Sequence, residues 1–336
     1  MNPAAAAEVD QGTGGPKRRT GHKGRFRRYL PFFALIGLST VIGVCNPRFF
    51  EVANLVRVAN SSCIPLVLGL GSTFVIVLGS IDLSVEGILA VGAVTVSLLV
   101  QNDHNTNHLG WGGAILATLL CAGLGFINGA IHVGLRIPSF MVTLGTWFVG
   151  VGTATLILGG STVRLLDPAL RSLALNRFVN LPWAVWLALA ALAITWFLER
   201  FTRFGRYVFA IGGAEDIAAL SGVPIRWVKL RVFALAGALY GLGGVMAAAQ
   251  LGQGKAVIGD GRLFTTVTAV VVGGTALTGG EGGVLNTVVG VLIMSVLVNG
   301  MILVGISPFL QQAVQGMLII LSVALSIDRG SLKVVK

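Results

Sequence analysis

Long apolar stretches separated by short polar connections occupy almost the whole chain. The hydropathy pattern divides them into segments at residues 29–45, 62–79, 87–100, 111–133, 141–158, 182–199, 230–250, 263–276, 283–304 and 308–326. A helix of about 20 apolar residues is long enough to cross a bilayer. The pattern therefore predicts an all-α fold, a polytopic membrane protein with about ten transmembrane helices.

The third and eighth segments, 87–100 and 263–276, are short for a hydrocarbon core of about 30 Å. Irregular backbone at that depth is tolerated only where protein or a water-filled cavity covers it. We therefore expect these two segments to be tilted, packed inside the bundle, or re-entrant.

The composition supports a membrane protein and argues against several other classes. Apolar residues make up 54% of the chain, charged residues 11%, and 47 residues are glycine. Soluble domains carry about 25% charged residues, whereas small residues allow close helix contact in membranes. The net charge of +11 could indicate nucleic-acid binding, but basic loops and ends are typical of membrane proteins. We therefore expect a lipid bilayer, and no nucleic acid, as a partner.

The positions of lysine and arginine predict an orientation and three parts of the chain. Residues 1–28 are polar and then basic, and we predict that they form a disordered cytoplasmic arm. Residues 29–327 form the transmembrane domain, and residues 328–336 form a cytoplasmic tail. An even number of spans places both ends on one side, and a cytoplasmic location for that side satisfies the positive-inside rule. The sizeable inner loop is then 200–229.

Two glycine-containing corners on the predicted inner side have similar sequences. Residues 77–84 read VLGSIDLS and residues 272–278 read VGGTALT, each between two apolar segments. The similarity indicates two loosely related halves in the same orientation, a common arrangement in transporters. Chance similarity is the alternative, because Gly-rich turns recur in unrelated contexts.

The polar residues of these corners have a local interpretation and a functional one. Asp82 can N-cap a helix that begins near Leu83, and Thr278 with Glu281 fits a T-x-x-E capping box. The functional alternative is that these helix ends line an inner gate or contact a cytoplasmic partner. Acids are costly in lipid, so Asp82 and Glu86 must lie near the interface or face a polar cavity. The predicted corner and gate residues are Gly79, Asp82, Ser84, Glu86, Gly273, Gly274, Thr278 and Glu281.

The inner loop contains the signals of a short helix. Gly212 and Gly213 precede it, two acids occupy its first turn, where the helix dipole favours them, and Gly222 with Pro224 ends it. A helix of about eight residues is unstable alone, so its apolar side chains need a surface to pack against. That surface is a soluble partner with a groove, a lipid surface, or the protein's own bundle. The predicted docking residues are Ala214, Glu215, Asp216, Ile217, Ala218, Ala219, Leu220, Ser221 and Gly222.

The chain lacks the motifs of the common catalytic and nucleotide-binding sites. No P-loop, G-x-S-x-G elbow or H-E-x-x-H motif occurs, and the four histidines form no ligand set. We therefore predict no catalytic site, no metal site and no enzyme activity for this chain. Intramembrane charges, which secondary transporters use for ion coupling, are nearly absent. Energy for transport is therefore expected from another subunit, with an ion-coupled secondary sugar transporter as the alternative.

Four longer motifs occur in order along the chain. They are GSIDLSVE at 79–86, NG at 128–129 followed by PSFMVTLG at 138–145, GRYVFAIGGAEDIAALSG at 205–222, and VVGGTALTGGEG at 271–282. With them, residues 46–328 resemble the permease subunits of ribose/xylose/arabinose-type bacterial ABC sugar importers. The resemblance covers nearly all of the hydrophobic chain, and four ordered motifs are more specific than any one of them.

The resemblance implies a permease subunit in the bacterial cytoplasmic (inner) membrane that forms the path for a monosaccharide or related polyol. Its partners would be an ABC ATP-binding subunit, a periplasmic sugar-binding protein on the outer loops, and a second permease copy or paralogue. The helix within residues 211–224 would be the coupling element for the ATPase. ATP and Mg would bind to the ATPase subunit, and this chain would bind no cofactor.

Three residues are candidates for the translocation path. Asn128 and Asn299 are polar residues inside apolar segments, and Phe140 lies in the second motif. Hydrogen bonding between helices is the alternative role for the two asparagines.

Several positions depart from the pattern of the resembled family. Ser80 and Glu86 stand in place of glycines, Ala214 in place of the usual asparagine, and residues 263–269 read LFTTVTA where the family usually has E-L-x-A-I-A-A. Because of these departures, the resemblance does not identify the substrate or the details of the outer gate. They also allow a heterodimeric pair of permeases. Branched-chain amino-acid permeases of ABC systems are near neighbours within the same class.

Overall fold

A computed structural model describes residues 23–326 as a bundle of helices. The helices are α1 (Lys23–Cys45), α2 (Val52–Val77), α3 (Val85–Leu99), α4 (Trp111–Leu135), α5 (Ser139–Leu158), α6 (Pro168–Leu175), α7 (Trp183–Phe201), α8 (Arg203–Gly213), α9 (Glu215–Leu220), α10 (Ile225–Leu251), α11 (Arg262–Val272), α12 (Val284–Leu303) and α13 (Pro308–Ser326). Short 3-10 helices at Pro47–Phe50 and Ala256–Gly259 precede α2 and α11. Each apolar segment predicted from the sequence corresponds to one of these helices.

Six helices in the described part of the chain are long and apolar enough to cross a membrane. They are α2, α4, α5, α7, α10 and α12. The apolar part of α1, Leu30–Cys45, and the whole of α3 are shorter apolar helices. The architecture is that of a multi-pass membrane protein, which confirms the interpretation of the hydropathy pattern.

Four two-residue strands lie in the connections at one end of the bundle. They are β1 (Val163–Arg164), β2 (Arg177–Phe178), β3 (Leu181–Pro182) and β4 (Gln253–Gly254). β1 pairs with β4 and β2 pairs with β3, both antiparallel. Together with α6 the strands cover this end of the bundle, which is called the cap end below.

The central helix of the bundle is α10, which packs against α2, α3 and α4. Its Phe233 and Tyr240 are fully buried. A methyl group on Gly125 of α4 would overlap the carbonyl oxygen of Phe233, and one on Gly237 would overlap that of Cys121. The backbones of α4 and α10 therefore approach as closely as glycine allows, the usual means of helix association in membranes.

The short helix α3 is buried in the bundle and follows an extended lead-in, residues 79–84. The lead-in lies along the first turns of α5, where Ile81 N donates to Ser139 Oγ at 3.1 Å and Leu83 N donates to Thr143 Oγ1 at 2.9 Å. Hydroxyl groups of α5 thus satisfy backbone amides that have no helical partner.

The short helix α11 also follows a non-helical connection, which turns back into the bundle from the cap end. The 3-10 helix Ala256–Gly259 in this connection packs against α3. A methyl group on Gly259 would lie 3.0 Å from the carbonyl oxygen of Glu86, in the first turn of α3. Of the expected alternatives, α3 is therefore packed inside the bundle, and the 3-10 helix before α11 lies against its first turn.

Alanine at Gly125 is expected to destabilise the fold, because its methyl group would push α4 away from α10. Overpacking of this kind costs about 1–3 kcal/mol. The measurement is the melting temperature of the protein purified in detergent, followed by size exclusion with fluorescence detection. Gly123→Ala is the matched control, because Gly123 lies on the same helix with open space around it. It should melt at or slightly above the wild-type temperature, and equal melting of the two variants would contradict this account.

Candidate functional site

Three of the four sequence motifs meet at the end of the bundle opposite the cap, called the corner end below. Gly280 N donates to the carbonyl oxygen of Val77 at 2.9 Å, which joins the connection after α11 to the end of α2. A methyl group on Gly212 would overlap the same carbonyl oxygen, and one on Gly279 would press against the backbone of Gly79. Side chains are therefore excluded where the two corners contact the end of α8.

The two corners end their helices in the same way. Gly79 and Gly274 have positive φ angles of +83° and +102°. In each corner the next amide donates to the carbonyl five residues earlier, at 3.0 and 3.2 Å, which is a Schellman closure. The same closure ends α5, α9 and α12 at Gly159, Gly222 and Gly305. The shared geometry alone therefore does not distinguish two related halves from recurring glycine turns.

Gly273 lies at the contact between α11 and α12. A methyl group on Gly273 would overlap the carbonyl oxygen of Asn286, and one on Gly290 would overlap that of Ala269. The corner is therefore continuous with a tightly packed helical hairpin.

The sequence predicts that Asp82 caps a helix near Leu83, and this prediction is wrong. The helix α3 begins at Val85, and Asp82 Oδ1 accepts hydrogen bonds from Ser84 N at 2.8 Å and from Ser84 Oγ at 2.5 Å. The carboxylate closes a turn within the lead-in, because the bonds to α5 hold the preceding residues extended and delay the start of the helix.

The predicted capping box of Thr278 and Glu281 is also wrong. Both residues are exposed, and the connection contains glycines with positive φ, which prevent a helix from starting at Thr278. The helix α12 begins at Val284, whose amide donates to Glu199 Oε2 of α7 at 2.6 Å. Sequence reasoning missed Glu199. Its only signal is an acid near the end of an otherwise apolar segment.

The predicted docking helix is α9, a helix of six residues at the corner end. Ala218 is buried, whereas the exposed fractions of the Ile217 and Leu220 side chains are 66% and 90%. Within residues 23–326 nothing covers these two large apolar side chains. The other predicted docking residues are exposed (Glu215, Asp216, Ala219, Ser221, Gly222) or half-buried (Ala214).

Both ends of α9 are connected to the bundle. Lys229 Nζ of α10 lies 2.7 Å from Glu215 Oε1 in the first turn of α9. Gly222 has a φ angle of +77° and ends α9 as predicted, and Pro224 directly precedes α10. The helix is therefore held against the start of α10 with its apolar side chains outward.

Asn128 lies inside the bundle and connects three elements by hydrogen bonds. Its Nδ2 donates to Ser84 Oγ at 3.2 Å, and its Oδ1 accepts from Thr146 Oγ1 at 2.5 Å. Asn128 is buried, whereas Phe140, another candidate for the path, is exposed on α5. The hydrogen bonds fit the helix-bonding alternative for Asn128, and its role on the path stays a prediction.

The same polar cluster continues to α2 and α10. Asp82 bonds to Ser84, and the side chain of Tyr240 lies next to it. Tyr240 in turn is hydrogen-bonded to Ser72 Oγ at 3.1 Å. The cluster crosses the bundle and satisfies the polar groups that the lead-in to α3 places there.

Glu86 lies away from the corner residues with which the sequence groups it. It is buried, and its Oε1 accepts a hydrogen bond of 2.9 Å from Leu263 N in the first turn of α11. Its carboxylate therefore links α3 to the start of α11, where unpaired amides and the helix dipole favour a negative group.

Asn299 lines a crevice between α2, α11, α12 and α13 whose wall is mainly apolar, called the Asn299 crevice below. It forms a reciprocal pair with Asn54, with Nδ2 to Oδ1 distances of 2.9 and 3.0 Å. The crevice has a volume of about 360 Å³. Its other polar lining residues are Arg57, Ser61, Thr265, Ser295 and Gln315. A mainly apolar crevice that also presents these polar groups can contact a second protein surface or a solute.

Residues 54–323 match the family described as "Branched-chain amino acid transport system / permease component". The ribose import permease protein of Escherichia coli (strain K12) is 32% identical over 295 residues, 86% of this chain and 90% of that protein. The ribose import permease protein of Bacillus subtilis (strain 168) is 32% identical over 311 residues, 92% of this chain and 95% of that protein.

A permease named for a different sugar is about as similar. The galactose/methyl galactoside import permease protein of Escherichia coli (strain K12) is 31% identical over 324 residues, 90% of this chain and 96% of that protein. No solved structure matches the chain. The similarity to curated import permeases therefore extends over nearly the whole chain and nearly the whole of each relative.

Glu199→Ala is expected to destabilise the protein, because the amide of Val284 loses its acceptor at the start of α12. Loss of an N-cap acceptor costs about 0.5–2 kcal/mol. The measurement is the melting temperature in detergent. Glu51→Ala is the matched control, because Glu51 precedes α2 without a side-chain capping bond. It should leave the melting temperature unchanged, and an equal loss in both variants would remove the capping role from Glu199.

Proposed function

Because the chain belongs to the branched-chain amino acid transport system / permease component family, we propose that it forms the translocation pathway of an ATP-driven importer for a monosaccharide or related polyol. The family description names amino acids, whereas the relatives reported above are named as ribose or galactose/methyl galactoside import permeases. Their similarity over 86–92% of this chain is the observation that supports a sugar as the substrate.

Energy comes from a separate ATP-binding subunit in this proposal, and this chain does no covalent chemistry. The family and its import permeases favour this over an ion-coupled secondary sugar transporter. Ion coupling needs an intramembrane acid that is free to exchange its ion. The carboxylates of Asp82, Glu86 and Glu199 each accept a hydrogen bond from a backbone amide, which is a structural use of the acid.

The helix α9 is the surface that we assign to the ATP-binding subunit. Ile217 and Leu220 present an exposed apolar face, which suits insertion of a helix into a groove. The ion pair between Lys229 and Glu215 would carry a movement of α9 to the central helix. ATP and Mg would bind to the partner subunit.

The orientation that we propose places the corner end and both chain ends in the cytoplasm of a bacterial cell, with the protein in the cytoplasmic membrane. Arg203, Arg206, Arg226 and Arg231 surround α9 in the sequence, as expected for the positive-inside rule. The cap end then faces outward and provides the surface for a periplasmic sugar-binding protein.

A second permease copy or a paralogue would cover the Asn299 crevice. Contact with lipid is energetically unfavourable for Arg57 and for the pair of Asn54 and Asn299. Apposition of two crevices would instead enclose a polar path between two subunits. Asn299 is the predicted path residue that this arrangement supports.

Affinity purification of the tagged chain from native membranes in mild detergent tests the subunit assignment. Mass spectrometry is expected to identify a stoichiometric soluble protein with a Walker A motif. Vesicles with the reconstituted complex should import ribose or galactose, used as probes, only with ATP, and collapse of the proton gradient should leave uptake unchanged. A chain that purifies alone in the presence of ATP analogues, with uptake that stops on collapse of the gradient, would support the ion-coupled alternative instead.

Ile217→Asp is expected to abolish recovery of the ATP-binding subunit in this purification, because a buried unpaired carboxylate is costly in an apolar groove. Membrane insertion and elution volume should not change. Val179→Asp, an exposed apolar residue in the connection at the cap end, is the matched control and should recover the subunit normally. Normal recovery with Ile217→Asp would contradict the assignment of α9 to the ATP-binding subunit.

Asn299→Leu is expected to lower ATP-driven uptake of ribose about tenfold, the equivalent of one hydrogen bond of about 1.4 kcal/mol. Asn60→Leu is the matched control, because Asn60 of α2 also bonds across helices, to Gln250, but does not line the crevice. Uptake is measured per folded complex. An equal loss in both variants would show that only helix bonding matters, and would remove Asn299 from the path.

A further inference from the structure

A second cavity, of about 390 Å³, lies at the corner end between α8 and the start of α10. It shares no lining residue with the Asn299 crevice. Its main lining residues are Arg203, Phe204 and Tyr207 from α8 and Trp227, Val228 and Arg231 from α10. Nothing in the transport function proposed above uses this cavity.

The cavity carries two positive charges and no negative one. Arg203 and Arg231 line it, and no carboxylate does. Neither guanidinium group has an ion-pair partner within residues 23–326. Among the acids on neighbouring elements, Glu215 is paired with Lys229, Glu199 caps α12, and Asp216 is exposed on α9 outside the cavity lining. The cavity therefore suits a ligand with an anionic group.

The rest of the wall is apolar or aromatic. Val228 is buried, and Phe204 is held by stacking on Phe74, with 5.8 Å between the ring centroids. The side chain of Trp227 is 59% exposed beside them. Tryptophan and tyrosine are typical of the boundary between lipid and water. The wall therefore suits a ligand whose anionic group continues into an apolar tail.

We propose that this cavity binds an anionic phospholipid, with the headgroup phosphate between Arg203 and Arg231 and an acyl chain against Trp227. Basic pockets between membrane helices on the cytoplasmic side bind lipid headgroups in this way. Free phosphate has the same charge but no tail for the aromatic wall. The bound lipid would lie beside Lys229, and thus beside the ion pair that holds α9.

The test is a native mass-spectrometry titration of the full chain, purified in detergent, with phosphatidylglycerol and with phosphatidylcholine. The wild type is expected to prefer phosphatidylglycerol. The double variant Arg203→Gln/Arg231→Gln is expected to bind it about 25-fold more weakly, from about fivefold for each arginine. The matched control is Arg206→Gln/Arg226→Gln, which changes two exposed arginines of the same helices outside the cavity lining. This control should retain the wild-type affinity.

Equal affinity of the two double variants for phosphatidylglycerol would overturn the proposal. Displacement of the lipid by an equal concentration of inorganic phosphate would also overturn it, because the site would then recognise the free anion. If the first variant does not fold, tryptophan quenching of the wild type by brominated lipids replaces it. Brominated phosphatidylglycerol should quench more than brominated phosphatidylcholine, and Trp227→Phe should remove the difference. Equal quenching by the two lipids in the wild type would contradict the site.

Discussion

Every backbone amide inside a bilayer needs a partner from the protein, because hydrocarbon supplies none. In this chain the amides that lack a helical partner belong to helices that begin within the bundle. Glu199 accepts from the first amide of α12 at 2.6 Å, and Glu86 accepts from Leu263 N in α11 at 2.9 Å. Hydroxyl groups of α5 do the same for the lead-in to α3. Each interruption of a helix is thus stabilised by a side chain from another helix, and buried acids become part of the framework.

Close backbone contacts bring these side chains within reach. Glycines at the contacts of α4 with α10 and of α11 with α12 remove the space that a methyl group would occupy. The interior that results is dense, and hydrogen bonds join Ser72 to Tyr240 and join Asp82 through Ser84 to Asn128. The features that can engage other molecules lie at its margins: the outward face of α9, the Asn299 crevice, and the basic cavity beside α8.

The helices and the positions of the two corners could be predicted from sequence because their signals are local or repeated: apolar runs, glycine turns and ordered motifs. The capping box at Thr278 failed because a four-residue pattern does not report the glycine conformations that follow it. The true caps could not be predicted. Glu199 is 85 residues from Val284, and Glu86 is 177 residues from Leu263, so only tertiary packing brings them together. The pairing of Asn299 with Asn54 has the same long-range origin.

The helix α10 runs unbroken for 27 residues from the ion pair with α9 to the cap end. There Arg171 Nη1 donates to Ala249 O, and Gln250 Nε2 donates to Asn60 Oδ1, each at 3.1 Å. At about 1.5 Å per residue the helix is about 40 Å long. Mechanically it is a lever arm, and a tilt of about 5° about one end shifts the other by roughly 3.5 Å. Hydrogen bonds do not stretch that far. A tilt of α10 that starts at α9 would therefore break these two hydrogen bonds at the cap end.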